Sequence, residues 1–118
     1  MNELSQMDCV SLRRAKDRGI TALDASEIEG YSSQVPAWEL VNERDEPRLR
    51  RMFKFKDFAE ALAFTNRVGE IAEQQDHHPA LLTEWGKVTV TWWSHALHGL
   101  HLNDFIMAAK TDELIERH

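Results

Sequence analysis

The sequence predicts an α+β domain in which helices cover one face of an antiparallel sheet. Hydrophobic residues recur with helical spacing in three separate segments. Between these segments lie two pairs of β-forming runs, each pair joined by a short polar or glycine-containing turn. The predicted order is therefore helix, hairpin, long helix, hairpin, helix, and the two hairpins supply the antiparallel sheet.

The ordered domain is predicted to begin at Asp24. Asp24 and Glu27 have the spacing of a capping box, and the helix should end near Gln34 because Pro36 disfavours helix before it. Residues 1–23 mix charged and apolar side chains without a clear period. We therefore expect residues 1–23 to form an irregular or mobile arm that adds little to the fold, and residues 24–118 to form the domain.

The first hairpin is expected to pair 38–41 with 51–55, with the polar segment 42–47 as its turn. The strongest helix follows, from about Asp57 to Gln75, and Asp57 and Glu60 repeat the capping-box spacing. Its wide apolar face should cover the sheet and leave some surface for a partner. Gly69 within this helix would be explained by a close approach of neighbouring backbone.

The second hairpin is predicted from 81–85 and 88–93, joined by a glycine-containing two-residue turn. A loop from Ser94 to Asn103 follows, and the last helix should start near Asn103 or Asp104. Its predicted inward-facing residues are Phe105, Ile106, Ala108, Ala109, Leu114 and Ile115.

Charge and composition exclude several classes of protein. The net charge of −6 argues against a nucleic-acid-binding surface. Cys9 is the sole cysteine, so an intrachain disulfide and a cysteine-only zinc site are excluded, and a cytoplasmic location is expected. The N-terminal residues do not resemble a signal peptide, and no apolar run reaches the length of a membrane span.

Histidines provide the candidate chemistry. His77 and His78 follow the long helix and His95 follows the last strand, so one cleft could collect all three. Imidazoles titrate near neutral pH and can give or take a proton. Glu73 lies one helical turn before His77 and could orient an imidazole ring.

Other interpretations of these residues remain open at this point. Three histidines and a carboxylate also suit zinc, although adjacent histidines rarely point at one ion. Ser94 adjoins His95 without the glycines of a nucleophile elbow. His98 and His101 are interpreted as solvated loop residues. Asp104 suits either the first turn of a helix or a place beside the histidines in the candidate site. The ring of Trp93 could bound a pocket for a flat heterocycle.

The spacing of these residues resembles the signature of the pterin-4a-carbinolamine dehydratases, also called dimerisation cofactor proteins. In order along the chain, the matching residues are Glu73, His77-His78-Pro79, Trp85, His95 and Asp104. The wider resemblance runs from about Asp24 to Leu114 and includes Trp38-Glu39-Leu40, the segment 53–58, the segment 64–68 and Gly99-Leu100.

The resemblance implies a four-stranded antiparallel sheet with three helices packed on one face. It implies dehydration of a 4a-hydroxytetrahydropterin to the quinonoid dihydropterin, in tetrahydropterin recycling after an aromatic amino acid hydroxylase. Pterin would be the substrate, with no cofactor and no metal. The implied catalytic residues are His77, His78 and His95, and the supporting carboxylates are Glu73 and Asp104. The residues implied to line the pterin are Asp76, His77, His78, Trp93, Ser94, His95 and Ala96.

The chain departs from the family pattern at two places. Ala96 stands where the family often has an acidic residue, and His98-Gly99-Leu100-His101 replaces the usual Gly-Gly-Leu-Thr. Because a threonine would cap the final helix, His101 is expected to be a poor cap.

The resemblance also implies a homodimer or homotetramer. The alternative function is a non-catalytic binding or regulatory module that acts through association of the long helix.

Overall fold

The computed structural model describes residues 3–116 and confirms the α+β architecture. Residues 1, 2, 117 and 118 of the predicted arm and domain lie outside the described residues. Four antiparallel strands form one sheet in the order β1-β2-β4-β3. The helices are α1 (Ala25–Ser32), α2 (Phe58–Gln75) and α3 (Leu102–Glu116), and the strands are β1 (Glu39–Glu43), β2 (Glu46–Lys54), β3 (Ala80–Glu84) and β4 (Lys87–Trp92).

The predicted helix caps are present, with one difference. Asp24 and Glu27 form both halves of a capping box, with bonds of 2.9 and 3.0 Å to each other's backbone N–H. At α2, Asp57 accepts from the N–H of Glu60 at 2.9 Å, but the Glu60 carboxylate accepts from the N–H of Lys56 instead of returning the bond. Only half of the second capping box therefore forms.

The first hairpin has a tighter turn than the sequence indicated, whereas the second has the predicted two-residue turn, displaced by one residue. In the first, β1 and β2 extend through most of the polar segment, and the turn consists of Arg44 and Asp45 alone. Both residues have positive φ, 52° and 62°, which matches the twist of flanking strands in a type I′ turn. In the second, the turn is Trp85-Gly86 and Gly86 has a φ of +77°.

The core lies between the helices and one face of the sheet. Alternate residues of β4 point to this face, and Trp92 at its end is fully buried. Helix α2 adds a buried stripe with helical spacing, formed by Ala61, Phe64, Val68 and Ala72. This packing places the C-terminal ends of α2 and β4 close to the start of α3.

The arm packs against α3, contrary to the expectation that it adds little to the fold. Among residues 3–23 it contains two single turns of 3₁₀ helix, and Leu4 is buried. The side chain of Asn103 exchanges two hydrogen bonds with the backbone of Val10, of 3.0 and 2.8 Å. The arm therefore covers the side of α3 that faces away from the sheet, which explains why every residue from Asn103 to Ala109 is buried.

Candidate active site

The end of α2 separates the two adjacent histidines. Asp76 takes the left-handed conformation, with φ 50° and ψ 44°, and its N–H bonds to the carbonyls of Ala72 and Glu73. The N–H of His77 then bonds to the Ala72 carbonyl at 3.2 Å. This turn directs His77 into the protein, where it is 9% exposed, and leaves His78 at the surface.

A buried carboxylate holds the ring of His77. Nε2 of His77 lies 2.6 Å from Oδ1 of Asp104, which is fully buried. The ring stacks on Trp92 with centroids 5.9 Å apart and planes 9° apart. Because an ionised carboxylate only accepts hydrogen bonds, Nε2 carries the hydrogen, and a neutral His77 keeps its lone pair on Nδ1.

The second oxygen of Asp104 connects two further segments to His77. Oδ2 accepts from the hydroxyl of Ser94 at 2.8 Å and from the N–H of His101 at 3.0 Å. Ser94 directly precedes His95 in the chain. Asp104 therefore lies in the first turn of α3 and also connects the ends of α2 and β4. Both interpretations of Asp104 from the sequence, as a first-turn helix residue and as a site residue, are compatible with this position.

Glu73 serves His78 and not His77. Nε2 of His78 lies 2.5 Å from Oε2 of Glu73, and both side chains are more than half exposed, at 54% and 78%. The left-handed turn at Asp76 explains this pairing because it carries His77 away from the surface of α2. The predicted carboxylate partner is thus present, but its imidazole is the outer one of the pair.

His95 rests on an aromatic and cationic support. Its ring is exposed and contacts the indole of Trp93, with centroids 4.3 Å apart. The guanidinium of Arg48 lies 3.9 Å from the centroid of the same indole and is paired with Glu43 and Glu46. Trp93 is itself buried, and its indole packs against the ring of His95.

Sequence reasoning missed Arg48. It lies on β2 and follows the turn of the first hairpin, whereas Trp93 lies just beyond β4. The register between β2 and β4, in which Leu49 faces Trp92, places the two side chains together. Charge and hydrophobic periodicity along the chain contain no signal for this register.

Two clefts adjoin the histidine-bearing segments. Trp93 and His95 line an open cleft of about 560 Å³ together with Arg48. Asp76 and Ala96 line a larger open cleft of about 880 Å³, together with residues of the arm. His77, His78 and Ser94 line neither of these two clefts. Neither cleft therefore collects His77, His78 and His95 as expected: His77 and Ser94 each bond to Asp104, Asp76 and Ala96 line the larger cleft, and His95 lines the smaller one.

Of the two loop histidines that we expected to be solvated, His98 is solvated and His101 is not. His101 is half-buried, its Nδ1 accepts from the N–H of Asn103 at 3.0 Å, and its own N–H bonds to Asp104. The expectation that His101 is a poor cap is therefore wrong. Burial lowers the pKa of His101, while the charge of Asp104 opposes this effect. His98 is exposed as expected, and it bonds to Glu46 at 2.9 Å.

The described part of the chain has neither a metal-binding cluster nor a helix that could span a membrane. Among residues 3–116, no group of three or more histidine, cysteine, aspartate and glutamate side chains is arranged to hold a metal ion. Within the same range, the helices are too short or too polar to cross a bilayer.

Comparison with known proteins extends the resemblance seen in the sequence. A protein of Nitrosococcus oceani, provisionally named pterin-4-alpha-carbinolamine dehydratase, is 53% identical over 98% of this chain and 99% of its own length. A protein of Chlorobium limicola with the same provisional name is 55% identical over 98% and 99%. A crystal structure described as a transcriptional coactivator/pterin dehydratase from Brucella melitensis shares 32% identity with a TM-score of 0.72, covering 80% of this chain and 98% of that one.

The family described as pterin 4 alpha carbinolamine dehydratase matches residues 21–114, which include every predicted site residue. The chain belongs to the pterin-4-alpha-carbinolamine dehydratase family.

Proposed function

We propose that this protein dehydrates a 4a-hydroxytetrahydropterin to the quinonoid dihydropterin by acid–base catalysis with histidines and without a metal. The names of its relatives support the reaction class. The observation that carries the mechanism is the buried carboxylate of Asp104, which bonds to His77 and to Ser94, the residue before His95. His77 and the chain segment that leads into His95 are thereby bonded to the same carboxylate.

The reaction requires two proton transfers and no change of oxidation state. The bond between C4a and the hydroxyl oxygen breaks as that oxygen receives a proton and leaves as water. The proton on N5 is removed, and its electron pair forms the new double bond between N5 and C4a. A neutral His77 offers a lone pair on Nδ1 for the second step, and a protonated imidazole at His78 or His95 offers the proton for the first.

The other predicted residues have supporting roles in this proposal. Glu73 accepts from His78 and so orients that imidazole. Asp76, Trp93, Ser94 and Ala96 would contact the pterin, with Asp76 and Ala96 at one cavity wall. An aromatic amino acid hydroxylase would supply the 4a-hydroxypterin, and a cytoplasmic location is proposed because the single cysteine, Cys9, is a free thiol.

The proposal is tested by the rate at which 4a-hydroxytetrahydropterin is converted to quinonoid dihydropterin. His77→Gln and His95→Gln should each lower this rate by a factor of about 10²–10⁴, the range for losing a general acid or base. His98→Gln is the comparison variant, because His98 is another exposed imidazole on the loop that carries His95 and lines the same cleft, so a loss confined to the His95 variant reports proton transfer and not a general change of the cleft. Wild-type protein that does not accelerate the dehydration would overturn the proposal.

Metal analysis separates the zinc alternative. We expect less than stoichiometric zinc in purified protein and full activity after treatment with a chelator. Stoichiometric zinc together with loss of activity on chelation would contradict the metal-free mechanism.

A specific surface supports the second candidate function, a binding module that associates through α2. Phe58 and Leu62 lie one helical turn apart on α2 and remain 45% and 44% exposed. The relative from Brucella melitensis is described as a coactivator as well as a dehydratase. We propose that this surface supports a homodimer or homotetramer, and Leu62→Lys should shift the sedimenting species toward monomer. An unchanged sedimentation coefficient would exclude this surface.

A further inference from the structure

His101 and Asp104 together close the start of α3. His101 directly precedes the first residue of the helix, and its Nδ1 accepts from the N–H of Asn103 at 3.0 Å. In return, Oδ2 of Asp104 accepts from the N–H of His101 at 3.0 Å. These two bonds satisfy the end amides reciprocally, as a capping box does, but the side chain at the N-cap is an imidazole.

The carboxylate of this cap also holds the candidate catalytic base. Oδ1 of Asp104 lies 2.6 Å from Nε2 of His77, and Oδ2 accepts from the hydroxyl of Ser94 at 2.8 Å as well. Since Asp104 is fully buried, its position is set by these contacts with the protein. A change at the cap is therefore transmitted to His77 through a single side chain.

The cap depends on the protonation state of His101. A neutral imidazole has a lone pair on one nitrogen, and here that nitrogen is Nδ1, because it accepts from a backbone N–H. An imidazolium carries hydrogen on both nitrogens and cannot accept this bond. Protonation of His101 therefore leaves the N–H of Asn103, a buried residue, without its partner.

The charges around His101 act in the same direction as the cap. Burial lowers the pKa of His101, the carboxylate of Asp104 on α3 raises it, and the imidazole of His77, which follows α2, lowers it. Within the described residues, these are the titratable groups that act on His101. Because two positive imidazoles repel each other, a charged His101 disfavours the imidazolium that forms when His77 takes the proton from N5 of the pterin.

We propose that His101 is a positioning residue for the dehydration: its neutral imidazole caps α3 and holds Asp104 against His77, and its protonation withdraws this support. The inference rests on the proposed dehydratase function and adds a second imidazole that must be neutral for turnover. His101 acts on the proton transfer, which follows binding of the pterin, so its replacement should alter kcat and leave KM unchanged.

Two replacements separate the cap from its titration. His101→Ala removes the cap and should lower kcat at neutral pH about fivefold, which corresponds to the ~1 kcal/mol of a lost N-cap. His101→Asn keeps a side-chain acceptor at the N-cap but cannot titrate, so it should restore kcat at neutral pH to within about twofold of the wild-type value.

The pH profile is the measurement that a merely structural cap would not change. As the pH falls below about 6.5, log kcat of the wild type should decline with a slope of roughly two per pH unit, since His77 and His101 must both be neutral. His101→Asn should decline with a slope of about one. His98→Asn is the matched control, because it removes an exposed imidazole from the same loop and asparagine tolerates the φ of 53° at that position. Its slope should equal that of the wild type, and tryptophan fluorescence at each pH restricts the comparison to folded protein.

A measurement without turnover separates this inference from the proposed function. The ¹⁵N signals of the His77 ring should show a second inflection at the pH at which the amide signal of Asn103 shifts, and His101→Asn should remove it. Equal acid slopes for wild type and His101→Asn, or a single inflection at His77, would overturn the inference and leave the dehydratase function standing. Wild-type protein that turns over no 4a-hydroxytetrahydropterin would overturn the proposed function and the role of His101 in turnover, even with the second inflection present.

Discussion

Replacing Asp104 with asparagine tests the central contact of the candidate site. The substitution keeps the volume of the side chain and removes its charge. The amide oxygen can still accept from Ser94 and His101, as Oδ2 of Asp104 does. The amide NH₂ group then faces Nε2 of His77, which now donates to Asp104 at 2.6 Å. Two donors cannot share a hydrogen bond, so the hydrogen of His77 must move to Nδ1.

Both stability and activity should fall. Exchange of a hydrogen bond to a buried charged carboxylate for one to a neutral amide predicts a decrease in the free energy of unfolding of about 1 kcal/mol. Moving the lone pair of His77 from Nδ1 to Nε2 removes the base that the proposed mechanism uses, so we expect dehydration to slow by about 10²-fold or more. Urea unfolding followed by tryptophan fluorescence, the dehydration rate and the ¹⁵N shifts of the imidazole measure the three effects.

Asp112→Asn is the matched control for this substitution. Asp112 lies on the same helix and accepts from Trp38 at 2.8 Å and from Arg51 at 2.5 Å, away from the histidines. Its replacement should lower stability and leave the dehydration rate of the folded protein unchanged. A wild-type rate for Asp104→Asn, or an equal slowing for Asp112→Asn, would refute the reasoning.

Three further predictions concern stability and reactivity. The pKa of His101 is lowered in the folded state, so the unfolded state binds more protons as the pH falls below about 6.5. The protein should therefore lose stability below that pH. His101→Asn should reduce this change of unfolding free energy with pH. Partial burial raises the pKa of Cys9 to about 12, so its thiol should react with iodoacetamide at pH 8 roughly 10³-fold more slowly than an unfolded control. Fast labelling of the native protein would contradict this shift. Gly86→Ala should destabilise the protein by about 1–2 kcal/mol, because φ is +77° and the new Cβ would lie 3.3 Å from the Phe55 carbonyl oxygen. Gly69→Ala should stabilise α2 by roughly 0.5–1 kcal/mol, because no atom lies within 4 Å of the new Cβ. Thermal unfolding measures both effects.

The elements that sequence predicted well are those whose signals are local. The capping box of Asp24 and Glu27 marks the start of α1, and the apolar spacing within 57–75 marks α2. The strand ends were less accurate, because pairing between Glu43 and Glu46 carries β1 and β2 into a segment whose composition favours a turn. The neighbourhood of Gly69 was wrongly anticipated, because no neighbouring atom approaches its Cβ position.

In the candidate site, too, the features with a local sequence signal were predicted and those set by distant contacts were not. The signature placed His77 and His95 at segment ends, and both do lie there. It did not indicate which imidazole of the pair is buried, since this depends on the left-handed conformation of Asp76. Nor did it indicate the arm as a cavity wall, since the bonds of Gln75 and Asn103 that fix it join residues far apart in sequence.

The attachment of the arm also constrains the order in which the protein matures during translation. Residues 5 and 10 bond to Lys110 and Asn103, both of which lie in the last helix. A ribosome must therefore synthesise the chain as far as α3 before residues 5 and 10 can dock, although the sheet and α2 have emerged earlier. The larger cleft, which the arm lines, is accordingly assembled only after α3 has emerged. A nascent chain stalled before α3 should be sensitive to protease at residues 3–20.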